Sequence, residues 1–341
     1  MPALRAAGFE VVGLVGTDAE RTAFRAKSGG VPQSFTDLDD AISRTDPTIV
    51  AISTPPATHC ALTLKALARR RHVLCEKPFA SDLAEARLML EAAEAAGVVH
   101  MLGNEFRFEP RRALIARAIA EGLIGEPRLL GIVQFSAYAA RQDANLPSWW
   151  LEPSAGGGWL GAWGSHLIDQ IRVEIGDFAL VSAALPKVSL SADGVEDSFI
   201  IRFQLTNGTE GVLLQSAGAL GPLAGLFRVA GTKGTIWTEG NAVRFADGEG
   251  ARELPIPADL ALPPPPDPGP DPRHKTAEWQ RLTSLELAPY TKLCSILKRA
   301  ILGDRPFKRP LPATFADGVA AMKVIDAIRA SAAKGGAAIQ I

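Results

Sequence analysis

The sequence predicts an α/β unit built on a parallel sheet, followed by an α+β unit built on a mostly antiparallel, open sheet. Two observations carry the first half. Thr48-Ile49-Val50-Ala51-Ile52-Ser53 and His72-Val73-Leu74-Cys75 are short apolar runs rich in β-branched residues, and a helical stretch from 59 to about 70 separates them. Strand, turn, helix and strand in that order make a parallel βαβ unit. The third observation covers the second half. From Arg128 onward the hydrophobic period moves toward two, with candidate strands at 129–138, 197–205, 211–216, 227–229 and 235–238, as an antiparallel sheet requires.

Taken in order, residues 2–7 read as the tail of a helix closed by Gly8. Residues 11–15 form a buried strand and 31–35 a short one. A helix over 37–43 carries acids in its first turn, where the macrodipole favours them. An Ala/Glu/Leu-rich helix over 83–96 ends at Gly97, a strand follows at 98–102, and an amphipathic helix at 110–121 leads into the second unit. The expected domains are therefore 1–109 and 110–341. Asn207-Gly208 marks a hairpin turn. Residues 263–272 include four consecutive prolines and read as a stiff surface loop rather than a polyproline ligand. The stretch 275–302 is helical with an interruption expected at Pro289, and 315–332 is the last helix.

Composition narrows the function classes. A chain of 341 residues fits two domains, and 47% apolar residues are ample for two cores. A net charge of −1 gives no support for a nucleic-acid or membrane-surface partner. Cys60, Cys75 and Cys294 lie far apart, so neither a disulfide framework nor a metal cluster is expected. Glu10 interrupts the N-terminus before any long apolar run, and no stretch approaches the roughly 20 apolar residues a membrane helix needs. A cytoplasmic protein is expected.

The chemistry concentrates at residues 76–78. Ligands of open α/β sheets bind beyond the carboxyl ends of the strands, and the run 72–75 ends there in Glu76-Lys77-Pro78. Pro78 restricts Lys77 to extended geometry, and the bond between them is a candidate for cis. Ser53-Thr54-Pro55-Pro56-Ala57-Thr58-His59, followed by His72 to Pro78, resembles the Gfo/Idh/MocA family of nicotinamide-dependent oxidoreductases. The likeness continues through Asn104-Glu105-Phe106-Arg107-Phe108 and through Gly156-Gly157-Gly158 with Gly164-Ser165-His166-Leu167-Ile168-Asp169. It ends with Gly231-Thr232-Lys233-Gly234-Thr235 and Phe315-Ala316-Asp317-Gly318.

That resemblance implies a Rossmann-like first domain and hydride transfer between the nicotinamide and a secondary alcohol of a sugar or polyol. Lys77 then matches the lysine that stabilises charge on the reacting oxygen, and His166 the proton acceptor. Asp169, one turn beyond, orients that ring or binds a substrate hydroxyl. The triple glycine lets backbone approach a ligand closely. Many family members carry an aspartate four residues before the histidine, where this chain has Ala162. Trp149, Trp150, Trp159 and Trp163 crowd the approach to His166; they stack on sugar faces or pack an interface. Arg107 binds an anionic group or forms a salt bridge.

For the cofactor, the resemblance implies contacts from Thr17, Arg21, Thr54, Pro55, His59, Glu76 and Lys77. His59 packs beside the cofactor or caps a helix. Gly16 stands where an acid for the ribose is usual, with Asp18 two further on, and Arg21 is placed to meet a 2′-phosphate. The choice between NAD and NADP therefore leans slightly to NADP, with no metal. The resemblance also implies a first strand and a G-x-G-x-x-G loop ahead of Met1, neither of which this sequence encodes. Without them, the strands at 11–15 and 48–53 must close a gap or leave ladder groups unpaired, and cofactor binding should be weak or absent. A homodimer or homotetramer that buries the open sheet face is expected. Two readings compete with the enzyme: a cofactor-binding regulator without turnover, and a redox-assisted lyase or glycosidase.

Overall fold

Five short parallel strands organise the N-terminal half of the computed structural model, which describes residues 1–140, 146–189, 195–269, 277–304, 307 and 309–341. Strand β1 (Leu14–Val15) pairs with β2 (Ser34–Phe35), while β3 (Ile49–Ile52), β4 (His72–Cys75) and β5 (His100–Leu102) form a second sheet in that order. Every one of these pairings is parallel. Among the described residues β1 and β3 share no ladder, so the two sheets stay apart and do not close on each other. Helices α1 (Pro2–Ala6), α2 (Ala19–Ser28), α3 (Leu38–Thr45), α4 (His59–Ala68) and α5 (Leu83–Ala96) connect and flank the strands. Helix α1 ends with Ala7 as its cap, and Gly8 follows at φ +79°. The sequence reading lacked α2. Its start signal is Asp18, whose carboxylate accepts the Arg21 N–H at 2.7 Å, as an N-cap aspartate does.

The second half adds α6 (Pro110–Ala120), β6 (Pro127–Phe135), α7 (Ser165–Glu174), β7 (Phe178–Ala184), β8 (Ser198–Leu205), β9 (Glu210–Ser216), β10 (Ala224–Gly231), β11 (Thr235–Glu239), β12 (Ala242–Asp247), β13 (Gly250–Leu254), α8 (Ala277–Ile301), α9 (Phe315–Ala333) and β14 (Ile339–Gln340). The strands lie in the order β13-β12-β11-β10-β6-β9-β8-β7-β14. All neighbours are antiparallel except β6 and β9, which pair in parallel at the centre. Strands β7, β12, β13 and β14 lie beyond those read from the sequence. Strand β13 offers no alternation to read, because four of its five residues are exposed. Hairpins do form where read, at Asn207-Gly208 and at Thr232-Lys233-Gly234.

One sheet face is the core. Phe199, Ile201, Phe203 and Leu205 of β8 are buried together with Ile168 and Ile171 of α7 and Ile325 and Ile328 of α9. On the opposite face Leu129, Ile200, Val212 and Leu226 are exposed. Helix α8 returns to the N-terminal half, where its Leu293, Cys294 and Leu297 pack with Ala3, Leu74, Met101 and Phe108. It runs unbroken through Pro289, so the expected interruption is absent. A proline removes one hydrogen bond, and tertiary packing of the apolar face holds the remainder. Of the proline-rich loop, residues 270–272 lie outside the described residues, as do 275 and 276 of the stretch read as helical.

The start of α9 wedges against the segment that follows Lys77. Phe79 is buried and meets the Phe315 ring at 4.6 Å between centroids. A Cβ on Gly318 would fall 2.4 Å from Phe79 Cδ1, and both rings are buried. Gly318→Ala is expected to cost about 1–3 kcal/mol by overpacking, read as a lowered urea midpoint; an unchanged midpoint would refute that contact.

Candidate active site

Strand β4 carries Glu76 and Lys77 out of the core beside the end of β3. Glu76 N–H donates to the Ile52 carbonyl at 2.9 Å, and Gly103 N–H donates to the Cys75 carbonyl at 2.7 Å. The Lys77–Pro78 peptide is cis. Glu76 accepts the Lys77 N–H at 3.2 Å and the Tyr290 hydroxyl at 2.5 Å. His59 is fully buried, with Nε2 2.8 Å from the Thr54 carbonyl and Nδ1 3.2 Å from the Phe79 carbonyl. Burial lowers its pKa against the pull of those two carbonyls. It clips the turn after β3 to the segment after Lys77. Thr17, Arg21, Thr54 and Pro55 are exposed, Thr17 and Thr54 lying just past the carboxyl ends of β1 and β3.

From the other side comes a π-helical turn, Leu160–Gly164, running directly into α7. Its Ala162 carbonyl accepts from Lys77 Nζ at 3.2 Å. The position where an acid was expected thus supplies its backbone oxygen, and the lysine keeps an acceptor. The glycines make this turn possible, but by approaching the protein's own backbone. A Cβ on Gly161 would sit 2.0 Å from the Gly156 carbonyl, and one on Gly157 2.3 Å from the Trp149 carbonyl.

His166 is buried on α7, 4.8 Å from the Phe106 ring and 5.5 Å from the Trp163 ring between centroids. Its Nε2 has no partner among the described residues. Burial first, then the charges of Lys77 and Arg112, push its pKa well below the ordinary histidine value, so it is a neutral base at neutral pH. Trp163 stacks on Trp159 at 5.9 Å and 14°, and its Nε1 donates to Gln134 Oε1 at 3.1 Å. Trp150 and Tyr138 extend this array across Trp159.

Arg107 and Asp169 meet each other. Arg107 Nε donates to Asp169 Oδ2 at 2.8 Å and Nη2 to Oδ1 at 2.5 Å, while Asp317 lies 3.0 Å from the same guanidinium. Burial works against the charge of Arg107, and the two carboxylates more than offset it, so its pKa is raised. Of the two roles weighed for Arg107, the salt bridge is the one formed, and Asp169 is committed to it.

Sequence reasoning passed over Glu105, Arg112, Glu174 and Tyr290. Glu105 is buried, and burial together with Glu286 and Glu76 raises its pKa well above the carboxylate range against the pull of Lys77. It lies inside the quoted 104–108 segment, so a buried acid beside Lys77 was within reach. Tyr290 had no such signal, standing 214 residues from Glu76.

Comparison with known proteins agrees with this geometry. Residues 1–104 match the oxidoreductase family with an NAD-binding Rossmann fold, and 113–237 match the GFO/IDH/MocA C-terminal domain. A 1,5-anhydro-D-fructose reductase of Ensifer adhaerens is 34% identical over 272 residues, 76% of this chain and 79% of that protein. The chain belongs to the Gfo/Idh/MocA family. It is accordingly an NAD(P)-dependent oxidoreductase. A levoglucosan dehydrogenase of Pseudarthrobacter phenanthrenivorans is 30% identical over 64% of this chain and 62% of its own length. A solved levoglucosan dehydrogenase in complex with NADH and levoglucosan superposes with a TM-score of 0.82 at 25% identity, over 99% of this chain and 94% of that one. Among the described residues no group of His, Cys, Asp or Glu is arranged to hold a metal, and no helix is long and apolar enough to cross a membrane.

Proposed function

We propose that this oxidoreductase transfers hydride between a nicotinamide cofactor and a secondary alcohol carbon of a sugar or similar polyol. The observation that carries this reading is the Lys77 ammonium, held at the Ala162 carbonyl close enough to depress the neutral, buried His166. Hydride can leave an alcohol carbon only as the hydroxyl proton departs. Lys77 stabilises the negative charge that develops on the oxygen, and His166 takes the proton. Trp163, half-buried at the end of the aromatic array, offers a stacking surface for a sugar ring. A sugar reductase and a sugar dehydrogenase among the relatives support the substrate class.

The residues present at the strand ends fit the nicotinamide and ribose side of the cofactor, while the phosphate-cradling glycine loop implied ahead of β1 is not among them. At the tip beyond β1 a Cβ on Gly16 would fall 2.3 Å from Thr22 Oγ1, which keeps the backbone bare beside the first turn of α2. Thr17, Thr54 and Pro55 line the exposed strand ends, and Lys77 reaches toward the reacting centre; these would hold it. His59 and Glu76 support that edge from behind. When bound, the nicotinamide supplies the hydride acceptor or donor. The cofactor is NAD: the family match and the neighbour's NADH complex support it, and the lean toward NADP drawn from Arg21 finds no support. The exposed apolar residues of the open sheet face suit burial in a homo-oligomer, and three buried free thiols suit a reducing cytoplasm.

The test is net reduction of NAD and NADP against a panel of sugars and polyols. Turnover with NAD is expected. Binding without turnover would favour a regulator, and bond cleavage without net reduction a redox-assisted lyase; either result overturns the reading.

A further inference from the structure

Behind His166, between α6, α7 and the 105–108 turn, lies a cavity of about 10 Å³, close to the smallest that holds one water. Asn104, Arg112, His166, Gln170 and Glu174 border it. Three of these carry a buried polar atom with no partner among the described residues: Asn104 Oδ1, His166 Nε2 and Glu174 Oε1. His166, Gln170 and Glu174 recur at intervals of four along α7 and so share one helix face. Gln170 Nε2 donates to Glu174 Oε2 at 3.3 Å, which fixes the carboxyl on that face. A polar cavity of one-water size with several unmatched partners is where an ordered water resides.

We propose that Glu174 is the proton partner of His166, exchanging a proton with Nε2 through one water seated in this cavity. The inference rests on His166 acting as base in the reaction proposed above. During alcohol oxidation the substrate O–H bond breaks and its proton joins the other ring nitrogen of His166. The Nε2–H bond then breaks, its proton passes to the water, and the water gives one of its own to the Glu174 carboxylate. The C–H electron pair leaves as hydride to the nicotinamide. Carbonyl reduction runs the same path backward, with Glu174 as donor. The relay supplies the acid that Ala162 does not.

The charges around Glu174 suit this role. Burial foremost pushes it up to about 8, Arg112 and Gln170 pull it down, and Glu109 and Asp169 add to the rise. Arg112 and Glu109 face it from α6 and its cap; Asp169 and His166 share its helix. Arg107, which the 105–108 turn contributes to the same cavity, is engaged by Asp169 and by Asp317 of α9. Glu174 is therefore mostly protonated at neutral pH and accepts a proton only as pH rises through about 8. Because its folded value stands above the ordinary 4.5, the stability it contributes is complete below 4.5 and is lost as pH climbs through about 8.

Glu174→Gln and Glu174→Asp test the proposal. Wild-type oxidation should show a kcat limb near pH 8. Glu174→Gln should remove that limb and lower kcat about 100-fold, leaving KM and NADH affinity unchanged, while Glu174→Asp restores part of the rate with a displaced limb. The His166 ring ¹⁵N signals should follow a titration near pH 8 in wild type and lose it in Glu174→Gln, a readout that needs no turnover. A melting temperature for Glu174→Gln that no longer falls between pH 4.5 and 8 would show that the variant folds without this ionisation. Absence of turnover in wild type with every sugar would sink the functional reading alone; the relay fails if Glu174→Gln keeps the limb, or if the His166 signals ignore the substitution.

Discussion

Lys77→Met is expected to lower kcat/KM for sugar oxidation by about 100- to 1,000-fold, the usual loss when one preorganised donor to a developing oxyanion is removed. The drop should fall on kcat, because the ammonium interacts most strongly with charge that exists only in the transition state. Methionine keeps the length of the side chain, and among the described residues the Lys77 side chain makes one hydrogen bond, the 3.2 Å contact with the Ala162 carbonyl. Stability should therefore change by no more than about 1.5 kcal/mol, the upper end for one hydrogen bond. Lys77→Arg should not restore the rate, since a planar fork does not replace a compact ammonium. Steady-state kinetics beside a urea titration separate the effects. An increase in KM at constant kcat would show that Lys77 only binds substrate.

Arg107→Met is expected to be the most damaging single change for stability. It strands Asp169, whose side chain is 3% exposed, and takes the nearer guanidinium from Asp317. Removing one member of a buried pair costs about 3–5 kcal/mol, because an uncompensated charge is left behind. The double variant Arg107→Met/Asp169→Leu should recover much of that loss, since it buries no lone carboxylate there. Burial raises Asp317, and Arg107, the Thr314 N–H and Arg172 outweigh it, holding its pKa below the ordinary 3.8. The stability this adds is complete above 3.8 and is lost as pH falls through the lower folded value. Wild type should thus lose its advantage over Arg107→Met on acidification. Urea midpoints at neutral and acid pH measure both effects; a loss below about 1 kcal/mol at neutral pH, within the range of surface pairs, would remove the pair from the list of structural anchors.

Much of this site was legible from the sequence, and the reasons are local. A short apolar strand ending in Glu76-Lys77-Pro78 announces both the lysine and the edge on which it stands. A histidine behind a glycine-rich turn announces the buried imidazole that stands near Lys77. The roles of their neighbours were harder to read, because those depend on contacts that local pattern does not encode. Arg107 and Asp169 lie 62 residues apart, and nothing in either segment says that each neutralises the other. His59 looked like a cofactor contact, yet its two ring nitrogens are taken up by carbonyls on either side of the site. The parallel pairing of β6 with β9 escapes any hairpin logic, since about 75 residues of chain separate the two strands.

The Lys77 segment is held by neighbouring strands through its backbone and by distant chain through its side chains. Its ammonium waits for a carbonyl 85 residues on, and the Glu76 beside it for a hydroxyl 214 residues on. At the start of α5, just past it, the Leu83 N–H donates to Asp326 from 243 residues away. Loop closure must precede each of these contacts, so such non-local pairing is slow relative to forming the βαβ unit itself. On a ribosome the parallel strands emerge and pair first, while Lys77 remains a lysine on an unfinished edge. The contacts of Glu76 with Tyr290 and of Leu83 with Asp326 form only once the last two helices fold back, so the edge that carries Lys77 is completed from the C-terminal end of the chain.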